Sequence, residues 1–137
     1  MKSRWLRISA WLGIVFGVVL VLGETRRNWG AWGHWASYTF DYLFAVQLIV
    51  FGVLSLKGRA WGRLLLIASW ALTVALFTYS FTGHVRTLDQ PPYRPVRHLR
   101  LTIIIGAPDL FAIAGLALGL ASFGSRKAGN RGDVALS

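Results

Sequence analysis

The chain has no cysteine. That absence removes disulfides, thiolate nucleophiles, cysteine zinc sites, iron–sulfur clusters, CxxCH haem attachment and a vitamin-K-reductase-like dithiol enzyme together. Acidic residues are scarce too: five Asp and Glu stand against fifteen Lys and Arg. Charged residues make up only 15% of the chain and hydrophobic ones 55%, whereas about a quarter of a soluble domain's residues carry charge. The excess apolar surface must face something other than water. Also missing are a nucleophile elbow, a Walker A loop, Rossmann glycines, paired glutamates and an internal repeat of the inverted-transporter kind. No catalytic residue and no cofactor is assigned, and the expectation leans away from an enzyme.

What is present is four apolar runs: Trp5 to Gly23, Tyr38 to Leu56, Trp61 to Gly83 and Leu101 to Phe123. A hydrocarbon layer of about 30 Å takes about 20 helical residues rising about 1.5 Å each. The runs lack a barrel strand's alternation, and backbone in hydrocarbon must satisfy its own hydrogen bonds. The expected fold is therefore all-α, an integral membrane four-helix bundle. It forms one transmembrane domain over residues 1–123, with helices at 5–23, 38–56, 61–83 and 101–123. The Gly-, Ser- and charge-rich residues 124–137 read as a disordered cytoplasmic tail.

Basic residues orient the bundle. Nine of them, from Lys2, Arg4 and Arg7 through Lys57, Arg59 and Arg63 to Arg126, Lys127 and Arg131, share the side of the termini and the second loop. Six, namely Arg26, Arg27, Arg86, Arg94, Arg97 and Arg100, lie on the side of loops one and three. The positive-inside rule then puts both termini in the cytoplasm, in the plasma (inner) membrane of a bacterium. The first run also has a signal peptide's form, with Val21 and Gly23 placed before Glu24 as at a cleavage site. Its length, Trp11, and a small-residue ridge of Ser9, Gly13 and Gly17 favour a retained, packed helix. The formal charge of +10 is dispersed in small groups at run ends. It points to snorkelling and anionic lipid rather than nucleic acid.

Loops one and three share a side whichever way the chain inserts, and that side holds His34, His84 and His98 with Glu24, Asp41 and Asp89. Tyr38, Tyr42 and Tyr93 join them, with Tyr79 nearby. The histidines are isolated, without HxxxH or HExxH spacing, so no metal site is assigned. Gln90-Pro91-Pro92-Tyr93-Arg94-Pro95 reads as an extended, stiffened surface loop. In Asn28-Trp29-Gly30-Ala31-Trp32-Gly33-His34-Trp35, glycine argues against a firm helix. A turn of about three residues would align Trp29, Trp32 and Trp35 as an interfacial anchor. With Arg26, Arg27, His34, His84, Arg94 and His98, these indoles form the expected outer-face rim.

Within the runs, Asp109 is the most informative residue. It lies about 13 Å along a helix from Arg100, where a charge costs about 2.5–3.5 kcal/mol on insertion scales and usually faces a bundle interior or cavity. Gly106 and Pro108 precede it, so the fourth helix is expected to be kinked or broken, with Pro108 opening a second half whose amino end favours the carboxylate. Asp41 and Gln47 are candidates for the same intramembrane polar site, although about 240° of helical turn separates them. Gly62, Ser69, Thr73 and Ser80 share a face of the third run, and Gly115 and Gly119 form a GxxxG pair in the fourth.

Gly52-Val53-Leu54-Ser55-Leu56-Lys57-Gly58-Arg59 and the helix after it resemble the second and third helices of small bacterial four-helix membrane proteins of the DoxX type. The likeness covers about a quarter of the chain, and no activity is carried over from it. The functional expectation is a non-enzymatic accessory or small binding subunit, packing as a homo-oligomer or against a membrane-protein partner. The alternatives are a small ion, proton or solute transporter or channel with Asp109 lining the path, and a membrane-embedded enzyme using Asp109 as acid or base.

Overall fold

Four helices follow one another along the chain: α1 (Arg4–Arg27), α2 (Trp35–Leu56), α3 (Ala60–Arg86) and α4 (Pro95–Gly132). This computed structural model describes residues 4–27, 29–30, 35–86 and 95–132, and no strand occurs among them. Each helix contains a stretch long and apolar enough to cross a membrane: Arg4–Arg27, Thr39–Leu56, Ala60–Gly83 and Thr102–Phe123. All four begin before their apolar runs, and α1, α3 and α4 also end after them, because helix is not confined to apolar sequence. α4 starts at Pro95, whose missing N–H costs nothing in a first turn and whose fixed φ suits it.

Two features of α4 bear on the reading from sequence. The helix passes through Pro108 without a break, so Asp109 sits in a helix interior and not at an amino end. Proline removes one ladder donor, to the carbonyl of Ile104, and an apolar helix packed against neighbours tolerates that loss. The first helical position, which favours proline, is filled instead by Pro95. The backbone at 124–132, assigned to a disordered tail on composition, is helical to Gly132. Arg126, Lys127 and Arg131 there stand near the carboxyl end of a helix, where the dipole favours cations.

The helices are arranged in a ring in chain order, α4 closing against α1; α1 also touches α3 across the diagonal, whereas α2 and α4 make no contact among the described residues. Small residues allow this. Gly13 and Gly17 of α1 are buried with Ser9 and Ala10, which is the ridge expected from their spacing. On the α1–α2 seam, a Cβ at Gly17 would lie 2.7 Å from the Ala45 carbonyl oxygen, and one at Gly52 would lie 2.9 Å from that of Ala10. Each helix thus offers a glycine to the other's backbone. Replacing Gly17 by valine is expected to destabilise the bundle by about 1–3 kcal/mol, since a backbone carbonyl cannot rotate away. Gly23→Val, at a position with nothing within 4 Å, is the control. Equal melting temperatures for the two variants in detergent would overturn this account of the seam.

The α2–α3 connection is a tight C-cap. Gly58 takes φ of 81°; its N–H donates to the Ser55 carbonyl at 3.0 Å and that of Arg59 to the Leu54 carbonyl at 3.2 Å. This is the Schellman pattern, which needs a left-handed residue and so favours glycine. It sets α2 and α3 antiparallel after three residues and brings Gly62 onto the Leu54–Ser55 backbone.

The centre of the bundle is filled by one large ring. Trp70 of α3 is 0% exposed; it meets Gly13 of α1 on one side, and on the other it lies against Gly115 of α4, where a Cβ would collide with the indole. Phe16 packs on it with ring centroids 5.8 Å apart and also meets Phe77 at 5.9 Å and Phe111 at 6.4 Å. The other buried residues are mostly small and include Ser9, Ser55, Ser69, Thr73 and Ser122, while Trp11, Val19, Leu22, Leu110 and Ile104 are exposed. Small and hydroxyl-bearing residues inside with large apolar ones outside is the distribution that suits hydrocarbon surroundings. Ser80, expected on the small-residue face of α3, is exposed, because the last turns of α3 carry little cover.

Candidate functional site

Hydroxyls satisfy most of the interior polarity locally. Ser69 donates to the Leu65 carbonyl at 2.8 Å and Thr73 to that of Ser69 at 2.7 Å, bonds that remain within one helix. Ser9 is different: its Oγ donates at 2.8 Å to the carbonyl of Gly115, joining α1 to α4 beside Trp70. Trp70 Nε1 has no hydrogen-bond partner among the described residues. An indole N–H enclosed by glycines and phenylalanines has packing instead of a partner.

Two polar groups remain, both toward the ends joined by loops one and three. The first lies between α1 and α2. Thr25 Oγ1 is 2.7 Å from Tyr42 Oη, and Arg27 pairs with Glu24 at 3.5 Å. Glu24 is largely covered, its side chain 14% exposed, and Asp41 lies within electrostatic reach of both Glu24 and Arg27. The second lies between α3 and α4: Thr78 Oγ1 donates to Asp109, 3.2 Å from each carboxylate oxygen, in an exposed setting. Thr82 in turn donates to the Thr78 carbonyl at 2.7 Å.

Asp109 therefore lies on the flank of the bundle and is partly exposed, where the sequence reading aimed it at the interior. Asp41 belongs to the other group, on a helix that does not touch α4. Gln47, farther along α2, is partly buried and has no hydrogen bond to either group among the described residues. Of the expected rim, Arg26, Arg27 and Trp29 are exposed, Trp29 in a turn with Gly30 at φ 83°. Trp32, His34 and Arg94 lie outside the described residues, as do the side chains of Trp35, His84 and His98, although α2 begins at Trp35 and helices carry both histidines. Among the described residues no three His, Asp or Glu side chains gather.

A third feature was not anticipated. An open groove of about 730 Å³ runs along the outside of α1, with Arg4 and Arg7 at one end, Trp11 and Val15 along it, and Phe111 of α4 as its far wall. Neither Asp109, Asp41 nor Gln47 lines it. The signal was legible: residues 4, 7, 11 and 15 recur at the three- and four-residue spacing of one helix face. At the same end, the Arg63 guanidinium lies 3.5 Å over the Phe123 ring. The α3–α4 pair gave a weaker signal, because nothing in the sequence set Thr78 apart from other helix hydroxyls.

No family model, no curated protein and no solved structure matches this chain. The local likeness of residues 52–59 to DoxX-type proteins gains no support, and the turn it covers is explained by its own Schellman cap.

Proposed function

We propose that the chain is a multi-pass membrane protein of non-enzymatic type. In this reading it is a small accessory subunit in the inner membrane of a bacterium, with both termini in the cytoplasm, and it binds a membrane partner through the α3–α4 flank. The partner is a transmembrane helix of another protein or of a second copy. One observation carries this reading: Asp109 and Thr78 form a polar pair open to the outside of the bundle, while the interior beside them is closed by Trp70 and Phe16. Carboxylates in hydrocarbon face protein or water-filled cavities. A partner helix that donates a hydrogen bond covers this one. The same filled interior weighs against a path for ions through the bundle centre, the transport alternative.

The absence of cysteine makes the test clean, because a single introduced thiol is the only one in the chain. Tyr79, next to Thr78 and 80% exposed, is the reporter on the flank; Val46 of α2, 52% exposed, is the control. In native membranes, Tyr79→Cys labelled with a thiol-reactive photocrosslinker is expected on illumination to form an adduct of discrete mass, either twice the chain's own or the chain plus one partner, and Val46→Cys is not. Adducts at both positions, or at neither, would overturn the reading. Proton or ion flux through the purified protein in liposomes, lost on Asp109→Asn, would replace it with transport.

A further inference from the structure

We propose that the α1–α4 groove is a binding site for one anionic phospholipid, with the headgroup phosphate held by Arg4 and Arg7 and an acyl chain lying along Trp11, Val15 and Phe111. The groove is asymmetric in the way an amphiphile requires. Its charged end holds two arginines one helical turn apart, and the rest of its named lining is apolar. Arg4 to Val15 spans about 16 Å of helix, about half of a 30 Å hydrocarbon layer and so the depth of one leaflet. Arg4 and Arg7 are exposed, and among the described residues neither has a carboxylate partner; Glu24 and Asp41 stand at the opposite end of α1 and α2, and Asp109 beyond the groove's far wall on α4. Guanidinium groups left unpaired at the mouth of an apolar groove match a phosphate diester, and their planar fork suits its oxygens. Trp11 and Phe111, 55% and 52% exposed, give the chain a firm wall to lie on. This inference stands apart from the partner flank, which is on α3 and α4.

The test uses the full-length protein in detergent, where the direction of insertion has no influence. Native mass spectrometry follows binding of phosphatidylglycerol and of phosphatidylcholine with the same acyl chains. Two arginines each contribute a factor of about five toward the lipid of net negative charge, so a preference for phosphatidylglycerol of about twenty-five-fold is expected. Arg4→Gln with Arg7→Gln should remove the preference and leave weak binding of both lipids. Val15→Trp, which fills the groove and keeps both arginines, should reduce binding of both. Because Val15 is exposed, this variant keeps the fold, as circular dichroism would verify. A preference that survives the arginine substitutions would overturn the proposal, and so would binding that Val15→Trp leaves unchanged. Inorganic phosphate that competes as well as phosphatidylglycerol would reduce the site to an anion contact and overturn the lipid assignment. A dimer abolished by Val15→Trp would place a second copy in the groove and overturn it as well.

Discussion

Replacing Trp70 by alanine is expected to cost about 3–5 kcal/mol of bundle stability, the range for removing a fully buried aromatic side chain. Among the described residues the indole is the one fully buried ring, at the point where α1, α3 and α4 meet. Its removal leaves Gly13 and Gly115 facing a void that neither can fill. The partner substitution, Gly115→Leu, fails for the opposite reason, since its first side-chain carbon already overlaps the indole. Joined in one chain, the two changes exchange bulk between facing positions, and their combined cost should fall short of the sum by about 0.5–3 kcal/mol, the coupling seen for residues in contact. Unfolding of the purified protein by dodecyl sulfate, followed by circular dichroism, measures all three. Strict additivity would mean that Trp70 and Gly115 do not share one space, and the packing described for the bundle centre would be wrong.

Asp109→Leu is expected to separate stability from association. In the membrane setting proposed above, removing this carboxylate relieves an insertion cost of about 2.5–3.5 kcal/mol, so the monomer should insert and fold at least as well as before. Contact with the partner should disappear, read as loss of the crosslink at Tyr79→Cys. Asp109→Asn keeps an acceptor for Thr78 and a group able to hydrogen-bond across helices, so it should retain a measurable share of the adduct. Thr78→Val is the milder change, removing one hydroxyl donor and with it about 1 kcal/mol. If the leucine variant crosslinks like the parent, Asp109 does not mediate association. If it fails to fold, the carboxylate serves the bundle itself, and the flank loses its functional reading.

Several features of the candidate sites were already visible in the sequence, for reasons that differ by residue. Gly13 and Gly17 announced a helix contact because four-residue spacing is a property of one helix alone. Asp109 stood out because a carboxylate in an apolar run is rare whatever surrounds it. Pro108 reads in the sequence as a kink or a break, and the break does not occur: α4 continues through it with one ladder donor missing. Asp41, Gln47 and Asp109 were gathered into one site because sequence gives depth along a helix and not azimuth around a bundle. In the fold α2 and α4 are diagonal and do not meet. Thr78 and Thr25 carry no signal in the sequence, since a helix hydroxyl ordinarily bonds its own backbone, and only a neighbouring helix shows when it does otherwise.

The sequence by itself determined four apolar helices, their order and the small-residue ridge of α1, because length, period and composition act within a single segment. Tertiary structure decided which helices touch, that Trp70 fills the centre against two glycines, that Asp109 opens onto a flank, and that Arg4 and Arg7 head an apolar groove. Those outcomes depend on how each helix is rotated about its axis. Rotation is set by the packing of side chains from three other helices at once, which no single stretch of the chain encodes.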